Sequence, residues 1–565
     1  HLGHAETGYS FYYEILPFTP YLLTYLIAWP LAVIGGGMFA AKVLLSAAVL
    51  ATPWQMKRWL DRVGGEGWWS LGGFVVALGF GYHWGFLSWT LSFPLAFAYF
   101  AALEDQRKEP SRVHIARAAA LALALFFCHA MTFGICLLLA GVFALWEGHI
   151  RRIVVQSLHA FPVLLVVAWW ATVPKRPPIA HPPGWPPEIA RLATLFGGTF
   201  SAHAEYWWAV VGLGIVVVTF AVTKPTLAAS PRRWLPTLFS LVGVAALPDT
   251  INNVWLIGTR AAGFVHAFAP GAVDPSPEPA VRRRTHALSW ALVLAALLAL
   301  NVRLYRYNEE LDGLDEIIAA VEPGADVHGL VPETGGDSAV LGPWALGQVM
   351  AWITTVKGGI LENDSGQYNT IPVQRRIDVV RPRHFRYYLT HGDVGLGQAM
   401  AAGRAGAPVT LARRAGRWNL FEALRSPLVI GGVTVVRWGQ EWGELMSGQS
   451  VTGSPLTVAG TTFAQGLGTH SRSSIEVRVP AGAHRLTGKV GIDDAAGCPF
   501  GAIFRVYGPG HRELWTSGDV HLGEHARPFS VEVPGHEPVR DLLLQVDPVR
   551  SNDCGHVNWL DLAAQ

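Results

Sequence analysis

Between Tyr21 and Val302 long apolar runs alternate with short charged clusters, whereas from Asn308 onward polar and apolar positions are finely mixed. Uninterrupted apolar runs approaching the ~20 residues that cross a hydrocarbon core predict transmembrane helices. They fall at roughly 37–54, 68–82, 86–103, 115–129, 132–147, 153–172, 205–222, 234–248, 251–269 and 286–303. Several are short of that length, so the charges fix the arrangement better. Lys57, Arg58 and Arg62 share one loop; Arg107, Lys108, Arg112 and Arg117 the next but one; then come Arg151 and Arg152, Lys224 with Arg232 and Arg233, and Arg282 to Arg284. Under the positive-inside bias these loops are cytoplasmic and the alternate ones, 81–85, 130–131, 173–205 and 248–253, face outward. Lys175 and Arg176 are the exception. The last span then runs outward and leaves everything after Asn301 outside.

Upstream of the first span the chain is aromatic and broken by proline, with Tyr9, Phe11, Tyr12, Tyr13, Phe18 and Tyr21. Such density predicts a segment from Phe11 to Ile34 lying on the bilayer surface. The paired prolines between Pro174 and Pro187 predict a stiff extended cover.

Beyond Asn308 the periodicity changes. Helical patterns at 311–321, 344–355 and 394–402 alternate with strand patterns at 326–331, 384–389, 409–412 and 418–422, an α/β region. Alternating runs at 474–479, 485–490, 502–507, 529–533 and 542–546, joined by Gly/Pro-rich turns, predict an antiparallel β-sandwich. The expected architecture is therefore a multidomain membrane protein: a polytopic helical bundle over 1–303, an extracytoplasmic α/β domain over 304–427, and a β-sandwich over 428–565.

Composition sharpens this reading. Hydrophobic residues make up 51% of the 565 and charged residues 15%, with mean hydropathy +0.30, more apolar than a soluble protein of this size. A net charge of +2 with no basic stripe excludes nucleic acid as partner. The chain opens on His rather than Met, and we expect a helix upstream of it. Cys128 and Cys136 lie in apolar helix and read as core; Cys498 and Cys554 lie in the sandwich, and a disulfide between them needs an oxidising compartment. No Gly-x-Gly-x-x-Gly or P-loop implies a nucleotide cofactor, and no histidine spacing commits the chain to a metal, although a divalent ion at the outer rim stays open.

The most specific signature is Gln465-Gly466-Leu467-Gly468-Thr469-His470, followed by Gly491-Ile492-Asp493 and closed by His556-Val557-Asn558-Trp559. From Val433 to Ala564 this resembles the NPCBM carbohydrate-binding modules found beside glycoside hydrolases, which implies a galactose-binding-like sandwich and a glycan partner. Sugar recognition needs an aromatic platform with polar neighbours. The candidates are Trp515, Tyr507, His521 and Trp559, with Trp559 equally readable as a core anchor. Asp493-Asp494 and Asn552-Asp553 read as turn formers or as a calcium site.

A second resemblance covers the membrane half. Tyr13-Glu14-Ile15-Leu16-Pro17, Tyr82-His83-Trp84-Gly85-Phe86-Leu87-Ser88, Phe127-Cys128-His129-Ala130 and Arg417-Trp418-Asn419-Leu420-Phe421 are similar to segments of bacterial polytopic proteins of the GT-C glycosyltransferase type. That family transfers sugars from lipid-linked donors, and its acid-to-His motif would end at His1 to His4, with the acid upstream. Transfer from a polyprenyl phosphate needs a carboxylate base, cations or imidazoles for the leaving phosphate, and a groove for the lipid. Glu14, His1, His83 and His129 are the catalytic candidates. Arg260, about three helical turns beyond Asp249, needs an acid or an anionic ligand, either Asp249 or the donor phosphate.

The reading is thus a glycosyltransferase on the outer face of the inner membrane, with a lipid-linked sugar, a cell-surface glycan and membrane lipid as partners. The alternative is a non-catalytic, membrane-anchored glycan-binding or scaffold protein.

Overall fold

The computed structural model describes residues 9–16, 18–146, 148–173, 182–185, 188–197, 206–251, 254–331, 333–334, 338–341, 345–360, 371–534 and 540–565. The N-terminal half is helical and the C-terminal part is rich in antiparallel sheet.

Helices occupy nearly every expected apolar run: Leu87–Lys108, Arg112–Cys128, Ala130–Trp146, Tyr206–Thr223, Pro231–Ala246, Ile257–Ala272 and Pro279–Glu310. The run at 68–82 is broken instead, into Gly67–Leu71, Gly72–Ala77 and Phe80–His83. Among the described residues two helices, Leu22–Val63 and Pro279–Glu310, are long and apolar enough to cross a membrane. A third is added if Ile150–Ser157 and Ala160–Thr172, bent by 60°, count as one span. The helices pack on an aromatic core in which Trp59 meets Phe268 at 5.8 Å and Trp89 meets Phe264 at 4.9 Å, both edge to face. Gly271 is required there, because a Cβ would lie 2.3 Å from the Trp59 ring.

The basic loops gather at one end of this bundle. Arg62 pairs with Asp105 at 2.7 Å, Arg232 with Glu104 at 3.0 Å and Arg282 with Glu66 at 3.2 Å, while Arg233 is buried against Asp274 at 2.6 Å. Loops far apart in sequence therefore share one layer of compensated charge.

The aromatic N-terminal segment corrects the sequence reading. Leu22–Val63 changes direction at Gly36, whose φ is 82°, so the residues up to Gly35 form a helical piece of their own. Tyr9, Phe11, Tyr12 and Tyr13 are buried against Ile360, Val379, Tyr507 and Leu543 of the later regions. The strand Tyr13–Ile15 pairs antiparallel with Val373–Arg375. These rings look like a headgroup belt in sequence because the surface that covers them, from Ile360 to Leu543, lies far downstream in the chain.

The middle region is a four-stranded sheet in the order Val327–Gly329, Tyr387–His391, Trp418–Ala423, Val409–Ala415, with the first pair parallel. The helices Leu314–Ala320 and Val349–Lys357 bury Ile317 and Ile353 in a core with Leu389, Trp418 and Leu420. Trp344, where the helical pattern at 344–355 begins, lies outside the described residues.

The sandwich has a six-stranded sheet (Val429–Ile430, Val433–Gln440, Ser473–Arg478, Asp541–Pro548, Gly501–Gly508, Arg512–His521) and a five-stranded sheet (Met446–Ser447, Gly466–His470, His556–Ala564, Arg485–Ile492, Arg527–Glu532). Ile475, Leu544, Phe504, Phe529 and Trp559 point inward and form the core between the sheets. Cys498 and Cys554 are joined as a disulfide.

Candidate functional site

The two halves of the C-terminal signature are neighbouring strands. In the pair formed by Gly466–His470 and His556–Ala564, Leu467 lies opposite Trp559 and His470 opposite His556. Leu467 and Trp559 are fully buried. Gly468 lets the chain pass close to the preceding loop, since a Cβ there would sit 2.1 Å from the Gln449 carbonyl oxygen.

At the open end of this strand pair three rings meet. Trp442 stands 5.4 Å from His470 and 5.9 Å from His556, nearly parallel to the latter at 22°, and the two histidines are 5.9 Å apart. Trp442 is 53% exposed. Its loop is fixed from beneath: Thr469 Oγ1 donates to Gln440 Oε1 at 2.6 Å, and Gln440 Nε2 donates to the Trp442 carbonyl at 2.7 Å. Glu441 accepts from Asn552 Nδ2 on the facing loop. Burial holds the His470 imidazole below its usual range, so it is neutral and keeps an acceptor near pH 7. An indole face framed by imidazoles, a carboxylate and an amide matches a sugar, whose C–H face stacks on a ring while its hydroxyls bond sideways.

Sequence reasoning quoted His470 and His556 only as signature residues and missed Trp442. The available signal was a tryptophan between Glu441 and Gly443, polar and turn-forming neighbours that suit a loop better than a core.

The sequence candidates in the sandwich fare differently. Trp559 is the core anchor, edge-on to Phe504 at 5.3 Å and Phe529 at 5.6 Å, and presents no face to solvent. Tyr507 is also corrected as a platform: it is buried beneath Tyr9 and Phe11 and stacked on His511 at 4.1 Å. Burial pushes its phenol up to about 12. Trp515 lies half-buried against Phe529 at 5.2 Å, while His521 is exposed on the same strand. Asp493 accepts from Asn558 Nδ2 at 2.6 Å and the Ala495 amide at 3.0 Å, and Asp494 from the Ala459 and Gly460 amides at 2.9 Å, so both organise turns.

In the helical half the candidates separate. His1 lies outside the described residues, as does His4. Glu14 sits on the strand paired with Val373–Arg375 and faces Arg376 at 3.5 Å. His129 is buried between Tyr21 at 5.2 Å and Trp89 at 5.1 Å, and its Nδ1 accepts from the Thr132 amide at 3.3 Å. Arg260, stacked over Phe86 at 4.7 Å, is close enough to act electrostatically on both His129 and Tyr21. Asp249 accepts from the Thr259 amide at 2.8 Å. His83 instead lines an apolar cavity of about 600 Å³ with His266, Trp208 and Arg303, whose guanidinium lies over Trp208 at 5.1 Å. Among the described residues no group of three or more His, Cys, Asp or Glu is placed to hold a metal ion.

Residues 431–564 match the family model of the NPCBM/NEW2 domain. Over 126 residues, 22% of this chain, the sequence is 38% identical to an α-1,3-galactosidase B of Akkermansia muciniphila. This chain spans at most 16% of the length of the curated relatives it matches. A carbohydrate-binding module, CBM51, of Clostridium perfringens in complex with methyl-galactose is similar over 23% of this chain and 92% of its own, at 21% identity and a TM-score of 0.21. The mycobacterial arabinofuranosyltransferase AftD is similar over 94% of this chain and 55% of its own, at 10% identity and a TM-score of 0.34.

Proposed function

We propose that this chain is a multi-pass glycosyltransferase of the inner membrane that uses a lipid-linked sugar on the outer face, and that its C-terminal module holds the acceptor glycan. The carrying observation is the exposed Trp442 framed by His470 and His556, inside the segment that matches a carbohydrate-binding family. Sidedness is supported by the paired arginines at one end of the helices, which the positive-inside bias assigns to the cytosol. The middle region and the sandwich then meet saccharides outside.

For the chemistry, Arg260 and His129 would face the leaving phosphate beside Tyr21, where a low dielectric strengthens their pull. The cavity that His83 and Arg303 flank would take the lipid. A carboxylate would take the proton from the acceptor hydroxyl as it attacks the anomeric carbon with inversion; Glu14 is the described candidate, and an acid upstream of His1 is the other. A second reading, a non-catalytic membrane-anchored glycan-binding protein, is favoured by the contact of Glu14 with Arg376.

The test is sugar transfer by the purified protein in nanodiscs, from a panel of polyprenyl-phosphate sugars to neutral glycans. Transfer that falls at least a hundredfold in Glu14→Gln supports the enzyme and this base. Transfer unaffected by Glu14→Gln assigns the proton to another group. Glycan binding that Trp442→Ala weakens, with no transfer from any donor, leaves the binding protein.

A further inference from the structure

Beside the Trp442 site lies an open cleft of about 490 Å³ that the ring cluster does not use. Its walls carry Glu441, Arg472, Arg505 and Asp547 from the sandwich and Asp378 from the middle region. The two spaces are continuous in the chain: Glu441 precedes Trp442, Arg472 follows His470 by two residues, and the Glu441 amide donates to the Arg472 carbonyl at 3.0 Å.

The cleft is built from side chains that hold one another in place. Asp547 accepts from Arg505 at 2.5 Å, from Gln545 Nε2 at 2.9 Å and from Arg472 at 3.4 Å. Arg505 also reaches Glu513 at 3.5 Å. Gln545 is 1% exposed, and its Oε1 has no hydrogen-bond partner among the described residues. The middle region supplies the remaining wall because residues 380–384 lie along the sandwich. The Val380 amide donates to Ser474 Oγ at 3.0 Å, the Arg383 amide to the Trp438 carbonyl at 3.2 Å, and His384 meets Glu444 at 3.0 Å. Gly439 permits this approach, since a Cβ would lie 1.9 Å from the Arg381 carbonyl oxygen. Asp378 is thereby set at the cleft, with its carboxylate 3.7 Å from His511 and 41% exposed.

We infer that this cleft is a second sugar subsite, so that the module reads a neutral glycan of at least two residues, with the middle region contributing Asp378. This rests on the glycan-binding reading of the Trp442 site. Guanidiniums and carboxylates that already neutralise one another keep spare donors and acceptors in fixed directions, which suits hydroxyls that both donate and accept. Three carboxylates against two guanidiniums oppose a uronate or sialate. A single sugar on Trp442 would leave the cleft to water; a second ring linked to it would reach the Arg472 side.

The experiment is calorimetry on the full chain in nanodiscs with a panel of neutral monosaccharides and the disaccharides built from them, galactose and lactose serving as the reference pair, and digalacturonate as the anionic control. The best disaccharide is expected to bind at least tenfold more tightly than its terminal monosaccharide, and digalacturonate no more tightly than a monosaccharide. In Asp378→Asn and Arg472→Gln the disaccharide should fall to the monosaccharide's affinity while the monosaccharide is unchanged. Asp378 lies outside the sandwich, and an unaltered melting curve excludes misfolding. Equal affinity for mono- and disaccharides, or a disaccharide advantage that survives both substitutions, overturns the subsite while the Trp442 site stands. Sugar binding unchanged in Trp442→Ala moves the binding face away from Trp442, and no binding by any neutral sugar overturns the glycan-binding reading itself; either removes the subsite.

Discussion

Arg437 of the sandwich donates through Nε to Asp326 of the middle region at 2.6 Å, and both side chains are almost completely buried, at 4% and 5% exposure. The same guanidinium bonds both oxygens of Glu476 at 2.9 and 3.0 Å and the Gly324 carbonyl at 2.7 Å. Asp326 in turn accepts from the Ile360 amide at 2.7 Å. Tyr12 lies in the same field: burial, then the Glu476 charge, pushes its phenol up. One buried cation therefore joins the middle region and the sandwich, with Tyr12 of the N-terminal segment in its field.

Removing that cation strands two carboxylates. Arg437→Met is expected to cost about 3–5 kcal/mol, the scale for breaking a buried ion pair from one side. It should expose the 424–432 connection to trypsin. Arg437→Lys keeps the charge but not the forked geometry and should fall between. Time courses of limited proteolysis, read by mass, check both; an Arg437→Met protein as resistant as wild type shows that the junction is held by other contacts.

His391 gives the middle region a pH dependence. It is 2% exposed, with its ring 4.7 Å from Trp418, and burial followed by the Arg417 charge lowers it from 6.5 to about 4. A group depressed by folding contributes stability that is fully present above its unfolded value and lost as pH falls through the folded one. The window is thus from 6.5 down to about 4. Melting of the middle region, followed by intrinsic tryptophan fluorescence, should drop by about 10 °C across it, and His391→Phe should flatten the slope.

Much of this fold was legible because its determinants are local. Uninterrupted apolar runs placed the helices, and alternating Leu542, Leu544 and Val546 placed a central strand of the sandwich. The strand Arg512–His521 was missed because it is an edge, where most side chains are polar and exposed and the hydrophobic alternation fades. Tyr9 to Tyr13 misled for the opposite reason: their partners are distant, with Tyr13 opposite Arg375. Arg437, Asp326 and Glu476 carry no spacing signal, since the middle region and the sandwich must both fold before they meet. At the candidate site the signature strands were readable, but the exposed ring they frame was not, because a lone tryptophan in sequence does not say which way it faces.

The Cys498–Cys554 disulfide closes a loop with a sequence separation of 56, flanking the loops that carry Asn552 and His556. Loop closure of that length corresponds to about 4 kcal/mol of unfolded-state constraint. Cys554→Ser, or reductant, should therefore lower the sandwich's melting temperature and weaken sugar binding, while proteolysis of the helical half stays unchanged. A melting curve insensitive to reductant would place the stability of these loops in their turns alone.

Trp442 and Trp559 separate binding from folding. Trp442 is 53% exposed and packs on two imidazoles, so its removal loses little buried area. Trp442→Ala should leave melting within about 1 kcal/mol of wild type and weaken a bound sugar by about 2 kcal/mol, roughly thirtyfold. Trp559 is fully buried between Phe504 and Phe529. Its replacement by alanine leaves a cavity and is expected to cost about 3–5 kcal/mol, with binding lost only as the sandwich unfolds. Lowering the temperature should then restore sugar binding to Trp559→Ala and not to Trp442→Ala. Glycan-array binding measured at two temperatures on both variants decides it, and the opposite pattern would move the binding face away from Trp442.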